Sequence, residues 1–210
     1  MEKYQNNNYS VFVVDNVSDS IFKQLEELIK QFAIEIYFEQ NIVHQDVNSY
    51  INDDIESRIK FAKDSINNKK NDVETRYYLL MHNDKAIAFQ TAQVRKNGAI
   101  YEGWRNFAYT LKEYRGKIGI VIDSYGKLQR GFLNNILYDN ITTWFNENNV
   151  VIERTATGIN MHKHICAYIV SKGFIPERVD NTRVYLIKDY SNLKDKKELK
   201  RIYKKYIKRS

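Results

Sequence analysis

Between residues 118 and 187 the chain switches repeatedly between two apolar periods, with glycine near several switches. Residues 118–123 (IGIVID) are nearly continuously apolar and read as a central strand, covered on both faces. Residues 124–131 (SYGKLQRG) form a basic, glycine-containing loop. Leu133, Ile136, Leu137, Ile141, Trp144 and Phe145 then recur at helical spacing. Residues 150–157 are rich in β-branched side chains and read as a strand that Gly158 breaks. Met161, Ile165, Tyr168 and Ile169 mark one face of a further helix, closed at Lys172-Gly173. A last strand covers 183–187. The alternation implies a mixed α+β fold in which a central sheet carries helices.

The upstream half supplies more of both periods. Residues 9–14 are a first strand, and the cap-rich stretch 16–20 leads into a helix bearing Ile21, Leu25, Leu28, Ile29 and Phe32. Residues 33–38 prolong that helix or bend it. A second helix spans 47–66, and 67–72 (NNKKND) are a polar connector. Strands at 77–81 and 86–94 flank a turn and read as a hairpin. Asn97-Gly98 is another turn signal. The aromatic stretch 101–115 reads as a strand extended by an insertion, after which Arg115-Gly116-Lys117 turns the chain.

Charge is segregated. Of 33 basic and 26 acidic groups, residues 191–210 hold nine and two, so the formal +7 belongs to the tail and residues 1–190 carry 24 of each. Leu199, Ile202, Tyr203 and Tyr206 form a stripe on that tail, making it an amphipathic basic helix. Such a helix can lie on an anionic membrane, bind nucleic-acid phosphates, or pack on the body. The division expected is one domain over 1–190 and a helical extension over 191–210. Hydrophobic residues at 43% exclude general disorder. No apolar run approaches the roughly 18 residues of a membrane span. The first residues lack a signal-peptide pattern, so a cytoplasmic protein is expected. Cys166 is the only cysteine, which excludes an internal disulfide. His162 and Cys166 share a helical face, but His164 points elsewhere, and no metal site is expected.

The ordered pieces resemble the GCN5-related N-acetyltransferase superfamily. They are the strand at 118–123, Gly126-Lys127-Leu128-Gln129-Arg130-Gly131, the helix at 133–145, the strand at 150–157, Asn160, Ser171-Lys172-Gly173-Phe174 and the closing strand at 183–187. Of the named branches, the nucleotide-sugar amine N-acetyltransferases look most similar. The resemblance implies a twisted mixed central sheet flanked by helices, here with a C-terminal basic amphipathic helix. It implies transfer of an acetyl group from acetyl-coenzyme A to a primary amine of a small molecule, an amino sugar included, by direct transfer in a ternary complex. A second reading is a non-catalytic module on the same scaffold, binding nucleic acid or an anionic membrane through the tail.

A strand, a glycine turn and a helix start converge backbone N–H groups and a positive helix end on one spot, which suits a pyrophosphate. By resemblance, Gln129, Arg130, Gly131 and Phe132 present backbone donors, Lys127 or Arg130 adds charge, and Asn160 holds the pantetheine arm. A rival register, Tyr114-Arg115-Gly116-Lys117-Ile118-Gly119, requires a helix over 118–147 with three interior glycines, each costing about 1 kcal/mol. The first register is therefore preferred. Leu128, Leu133 and the long spacing from Asn160 to Gly173 depart from the family pattern.

For the chemistry, the resemblance assigns the oxyanion to backbone at Ile122 and Asp123, and thiolate protonation to Tyr168. Tyr168 is one position out of register and could equally be core. Asp123, Glu153 and Glu102 are the carboxylates available as the amine's base. Tyr101, Trp104, Phe107 and Tyr109 could line the acceptor pocket, or simply pack.

Overall fold

A computed structural model describes residues 9–39, 47–67 and 72–207. The polar connector, apart from its ends, and the last three residues of the tail lie outside them. The chain divides into two compact units: Met1–Ala92 with Phe107–Trp144, and Gln93–Asn106 with Phe145–Ser210. Among the described residues no helix is long and apolar enough to cross a membrane.

The first unit opens with β1 (Tyr9–Val14), α1 (Ser20–Glu39) and α2 (Val47–Asn67), followed by β2 (Val73–His82) and the start of β3 (Lys85–Asn97). β4 (Ile100–Thr110) ends in this unit, and β5 (Ile118–Ile122), β6 (Leu128–Phe132) and most of α3 (Leu133–Glu147) complete it. Its strands lie in the order β6-β5-β1-β2-β3-β4. β1 is antiparallel to β2 and parallel to β5, while β5 and β6 form an antiparallel hairpin. Adjacent residues of β2 show how the sheet is covered. Tyr77 hydrogen-bonds to Ser65 of α2, whereas Tyr78 packs against Trp144 of α3 with ring centroids 6.3 Å apart. Successive side chains of a strand point to opposite faces, so the two helices cover opposite sides. Double coverage is why the run Tyr77-Tyr78-Leu79-Leu80 is apolar without alternation and fully buried.

The second unit holds the end of β3, the start of β4, β7 (Val150–Gly158), β8 (Ile175–Val179) and β9 (Arg183–Asp189), in the order β3-β4-β7-β9-β8. β4 runs parallel to β7 from Tyr101 to Arg105, and β7 and β8 are both antiparallel to β9. Its helices are α4 (His162–Cys166), which continues into a π-helical turn (Ala167–Ser171), and α5 (Lys196–Ile207). Gly103 is required by close approach, since an added Cβ would lie 2.7 Å from the Phe145 ring.

The mixed α+β class, the helix-flanked sheet and the C-terminal helix agree with the sequence reading, but two local expectations do not. Residues 118–122 are not a central strand: β5 is second from the end of the strand order. Residues 124–131 are not a loop that feeds a helix directly. They are the turn and most of the outer strand of a hairpin, and the backbone of Gln129, Arg130, Gly131 and Phe132 pairs with β5. Gly131 faces open space, so a larger residue fits there.

Asp123 explains the hairpin. Its backbone N–H donates to the Lys127 carbonyl at 2.9 Å. Its Oδ1 accepts from the N–H groups of Tyr125 (3.0 Å) and Lys127 (2.8 Å), and its Oδ2 accepts from the Gln129 amide at 2.8 Å. Such a carboxylate turn competes successfully with helix formation. Gly126, at φ +78°, supplies the left-handed residue. Asn140 of α3 anchors the turn by accepting from Ser124 N–H and Oγ. Asp123→Ala removes three acceptances to a charged group and should lower unfolding stability by about 2–3 kcal/mol, read from the urea midpoint.

Candidate functional site

In the first unit, the segment after β4 is held at successive residues. It begins with a 3-10 turn (Lys112–Tyr114), whose Tyr114 hydroxyl meets His82 Nδ1 at 3.0 Å. His82 itself stacks on Tyr9 at 4.5 Å. Arg115 donates to the Thr110 carbonyl at 2.8 Å and pairs with Glu35 of α1 at 2.5 Å. Gly116 takes φ +73°, a conformation that a side chain strains. The Lys117 carbonyl accepts from the N–H of Leu133, the first residue of α3, at 3.1 Å.

That last bond reconciles the two registers. The chain leaves at Ile118, runs out and back through β5 and β6, and returns at Phe132, since Ile118 and Phe132 are paired. The helix start therefore follows Arg115-Gly116-Lys117 in space, with a hairpin inserted in the sequence. A helix containing three glycines is no longer needed, because 118–132 is not helical. Gly119 instead lies where an added Cβ would come within 2.7 Å of Leu133. The first-turn N–H groups of α3 lack intrahelical acceptors by geometry. Leu133 N–H is spent on the Lys117 carbonyl and Arg115 is paired with Glu35, so the anion-favouring character of this end rests on the next N–H groups of the turn, those of Asn134 and Asn135, and on Lys117.

Beside this segment opens a cavity of about 540 Å³, between Gln31, Ile34 and Glu35 of α1 and the stretch from Tyr109 to Glu113. Glu35 accepts from the Tyr109 hydroxyl at 3.0 Å. Burial, and then this bond, push the Tyr109 hydroxyl up to about 12.

The second unit contains a buried polar cluster that sequence reading does not assemble. Arg105 of β4 and Glu153 of β7 form an ion pair and are both fully buried, at 1% and 0% side-chain exposure. Arg105 Nε donates to Glu153 Oε1, while Oε2 accepts from the Tyr190 hydroxyl at 2.6 Å and lies 4.0 Å from Lys188 Nζ. The Arg105 guanidinium also sits 5.2 Å from the Phe145 ring centre. Desolvation holds the Lys188 ammonium below its ordinary pKa, with the Arg105 charge acting in the same direction against the pull of Glu153. Thr155, next along this face of β7, donates to the Arg105 carbonyl at 3.2 Å.

Tyr168 belongs to this cluster. It lies in the π turn, half-buried, with its ring edge-on to Phe174 at 5.4 Å and its hydroxyl hydrogen-bonded to Thr155. Burial raises its pKa; the Arg105 charge and the Thr155 bond pull it down, and Glu153 pushes it up again. The π turn also accounts for the register problem. Gly173, at φ +84°, ends the helix, and the Phe174 N–H reaches back to the Tyr168 carbonyl at 3.1 Å. An ordinary helix closure of this type would reach Ile169. The wider turn absorbs one extra residue, and such single-turn widenings recur at functional sites.

The remaining expected residues are placed as follows. Ile122 ends β5, Lys127 is exposed in the hairpin turn, and Asp123 spends both carboxylate oxygens on that turn. Asn160 is exposed in the turn before α4, whose N-cap is Met161. Glu102 lies 3.6 Å from Arg154 and accepts from Asn97, and Arg154 also pairs with Glu177. Phe107 and Tyr109 pack against Phe32 of α1, and Tyr109 also lines the cavity beside Glu35. Among the described residues, no group of His, Cys, Asp and Glu is arranged to hold a metal ion. Arg105 and Glu153 have one sequence signal, a charge inside each of two strand-like runs. Nothing in one dimension pairs them.

Glu153→Ala leaves Arg105 buried without its counter-charge and should cost about 3–5 kcal/mol in urea unfolding. Tyr190→Phe, which removes one hydrogen bond to a charged group, should cost about 1.5–3 kcal/mol.

Comparison with known proteins places this architecture. No family model and no curated protein sequence matches the chain. Solved structures do. The PaiA N-acetyltransferase from Thermoplasma acidophilum, in complex with coenzyme A, aligns over 86% of this chain and 99% of its own, with TM-score 0.60 and 14% identity. An acetyltransferase from Thermus thermophilus aligns over 86% and 97%, with TM-score 0.56 and 9% identity. Arabidopsis thaliana Naa50, in complex with the bisubstrate analogue CoA-Ac-MVNAL, aligns over 85% and 98%, with TM-score 0.51 and 13% identity. The chain has the fold of the GCN5-related N-acetyltransferases.

Proposed function

We propose that the protein is an acetyl-coenzyme A-dependent N-acetyltransferase acting by direct transfer to a small primary amine, amino sugars included. The observation that carries this reading is the Leu133 N–H to Lys117 carbonyl bond, which seats the Arg115-Gly116-Lys117 loop against the start of α3, where the N–H groups that follow Leu133 suit an anion. The donor's phosphates would be held by the Gly116-Lys117 backbone, the first turn of α3 and the charges of Arg115 and Lys117. This replaces the hairpin residues Lys127, Gln129, Arg130, Gly131 and Phe132 in that role. It likewise moves the oxyanion donor from Ile122 and Asp123 to a backbone N–H of β4, the strand that precedes the loop.

The chemistry follows in order. The amine nitrogen bonds to the thioester carbonyl carbon, a β4 N–H stabilises the oxyanion, and the C–S bond breaks as the carbonyl re-forms. The thiolate takes the Tyr168 proton, and the proton lost by the added amine passes to solvent, from which Tyr168 is reprotonated. Tyr168 suits the acid role because burial keeps its hydroxyl protonated at neutral pH, while Arg105 and Thr155 favour the tyrosinate formed after transfer. Asp123, Glu102 and Glu153 each accept bonds from their own neighbours, so the neutral amine is supplied by its acid–base equilibrium in solution. For the acceptor, the cavity beside Glu35 and Glu113 has the size of a small-molecule site, and Glu113 supplies an exposed carboxylate for an ammonium group.

Calorimetry with acetyl-coenzyme A tests the junction. Gly116→Val should weaken binding at least tenfold, while Gly131→Val leaves it unchanged; the reverse result would restore the hairpin register. Tyr168→Phe should lower kcat about 10²-fold with little change in acetyl-coenzyme A affinity. In pH profiles, kcat/KM should rise about tenfold per unit below the amine's pKa. No falling limb from Tyr168 should appear below about pH 10, because its shift is upward. Faster turnover of peptide N-termini than of a panel of small amines would overturn the acceptor class.

A further inference from the structure

The tail's charge is displayed in a definite geometry. α5 is fixed by its apolar stripe: Leu199 and Tyr206 are buried, Ile202 and Tyr203 are half-buried, and the helix packs on the π turn and on β8. The Tyr203 hydroxyl hydrogen-bonds to Cys166. At its start, Asp195 caps the helix by accepting from the N–H groups of Lys197 and Glu198, both at 2.8 Å. Lys194 and Glu198 pair at 3.6 Å.

With those groups spent, the outward side carries Lys196, Lys197, Lys200, Arg201, Lys204 and Lys205, all exposed. Among the described residues, none of these six is in a salt bridge. Helical spacing arranges them in two rows, 196/200/204 and 197/201/205. Together they cover about half of the cylinder and extend over roughly 14 Å of axis. No acidic side chain lies between the rows, and the exposed Ile207 follows them at the end of the helix.

We propose that this face of α5 binds the sugar–phosphate backbone of a nucleic acid. Three physical points select that partner. An amphipathic helix binds a membrane by burying its apolar side, and here that side is already packed on the protein. Protein interfaces are anchored by aromatic and arginine clusters and depleted of lysine, whereas this face is five lysines and one arginine with no aromatic group. A duplex presents one negative charge per about 1.7 Å of axis, which a dense, uninterrupted row of cations neutralises by releasing counterions. The binding is sequence-independent, since phosphate contacts position but do not specify. It is separate from the proposed acetyl transfer and does not require it.

Fluorescence anisotropy of the full chain with labelled duplexes of about 20 base pairs, one RNA and one DNA, tests the proposal. Binding is expected at about 50 mM salt, weakening on the order of 10²–10³-fold by about 200 mM, as roughly four to six phosphate contacts require. The triple variant K196E/K200E/K204E should lose at least a hundredfold in affinity while its far-UV spectrum and acetyl-coenzyme A binding stay unchanged. The milder K196Q/K200Q/K204Q variant, which keeps helix-forming side chains, should lose about tenfold. Absence of binding at the lower salt, or equal binding by the substituted chains, overturns the proposal. Tighter association with phosphatidylserine-containing vesicles than with either duplex at matched salt overturns it in favour of a membrane.

Discussion

The Arg105–Glu153 ion pair is the constraint on which the second unit is organised. Two opposite charges, each almost completely removed from solvent, sit on neighbouring parallel strands. Neither could be buried alone, because the desolvation of an unpaired ion exceeds what packing returns. The pair therefore holds β4 and β7 in one register and draws further polar groups around it. Tyr190 and Lys188 occupy the second carboxylate oxygen, and Thr155 uses the carbonyl of Arg105 itself. Tyr168 then finds its hydroxyl partner in Thr155 and its electrostatic environment in Arg105 and Glu153.

In the first unit the equivalent role falls to backbone and side-chain bonds around an insertion. A hairpin placed between a loop and the helix it serves would ordinarily separate them. Here the hairpin closes on itself, with Asp123 and Asn140 holding its far end and the Lys117–Leu133 bond holding its base. The segment after β4 is correspondingly constrained: His82 holds Tyr114, and Glu35 with the Thr110 carbonyl holds Arg115.

The two features also show where linear reading goes astray. The run Ile118-Gly119-Ile120-Val121-Ile122 reads as a central strand because it is apolar without alternation. In fact Val121 is buried, whereas Ile118 and Ile122 are more than half exposed. The inference from uniform hydrophobicity to double coverage holds for Tyr77–Leu80, where helices lie on both sides. It fails for β5, where the exposed isoleucines are uncovered. The long spacing from Asn160 to Gly173 reads as a shift or an insertion. Its partial cause is a π turn, which leaves no compositional mark because it changes hydrogen-bond reach rather than residue type.

By itself the sequence determined the mixed class, most strands and helices, and the amphipathic tail, because these follow from local apolar periodicity and glycine breaks. It also determined that the surplus charge belongs to the last twenty residues. Tertiary structure alone decided which glycine loop meets the start of α3, because that junction joins residues separated by a hairpin. It alone decided that Arg105 faces Glu153 and that Asp123 is consumed by a turn. Those outcomes depend on which donors and acceptors become neighbours once water is excluded, and no spacing along the chain records that.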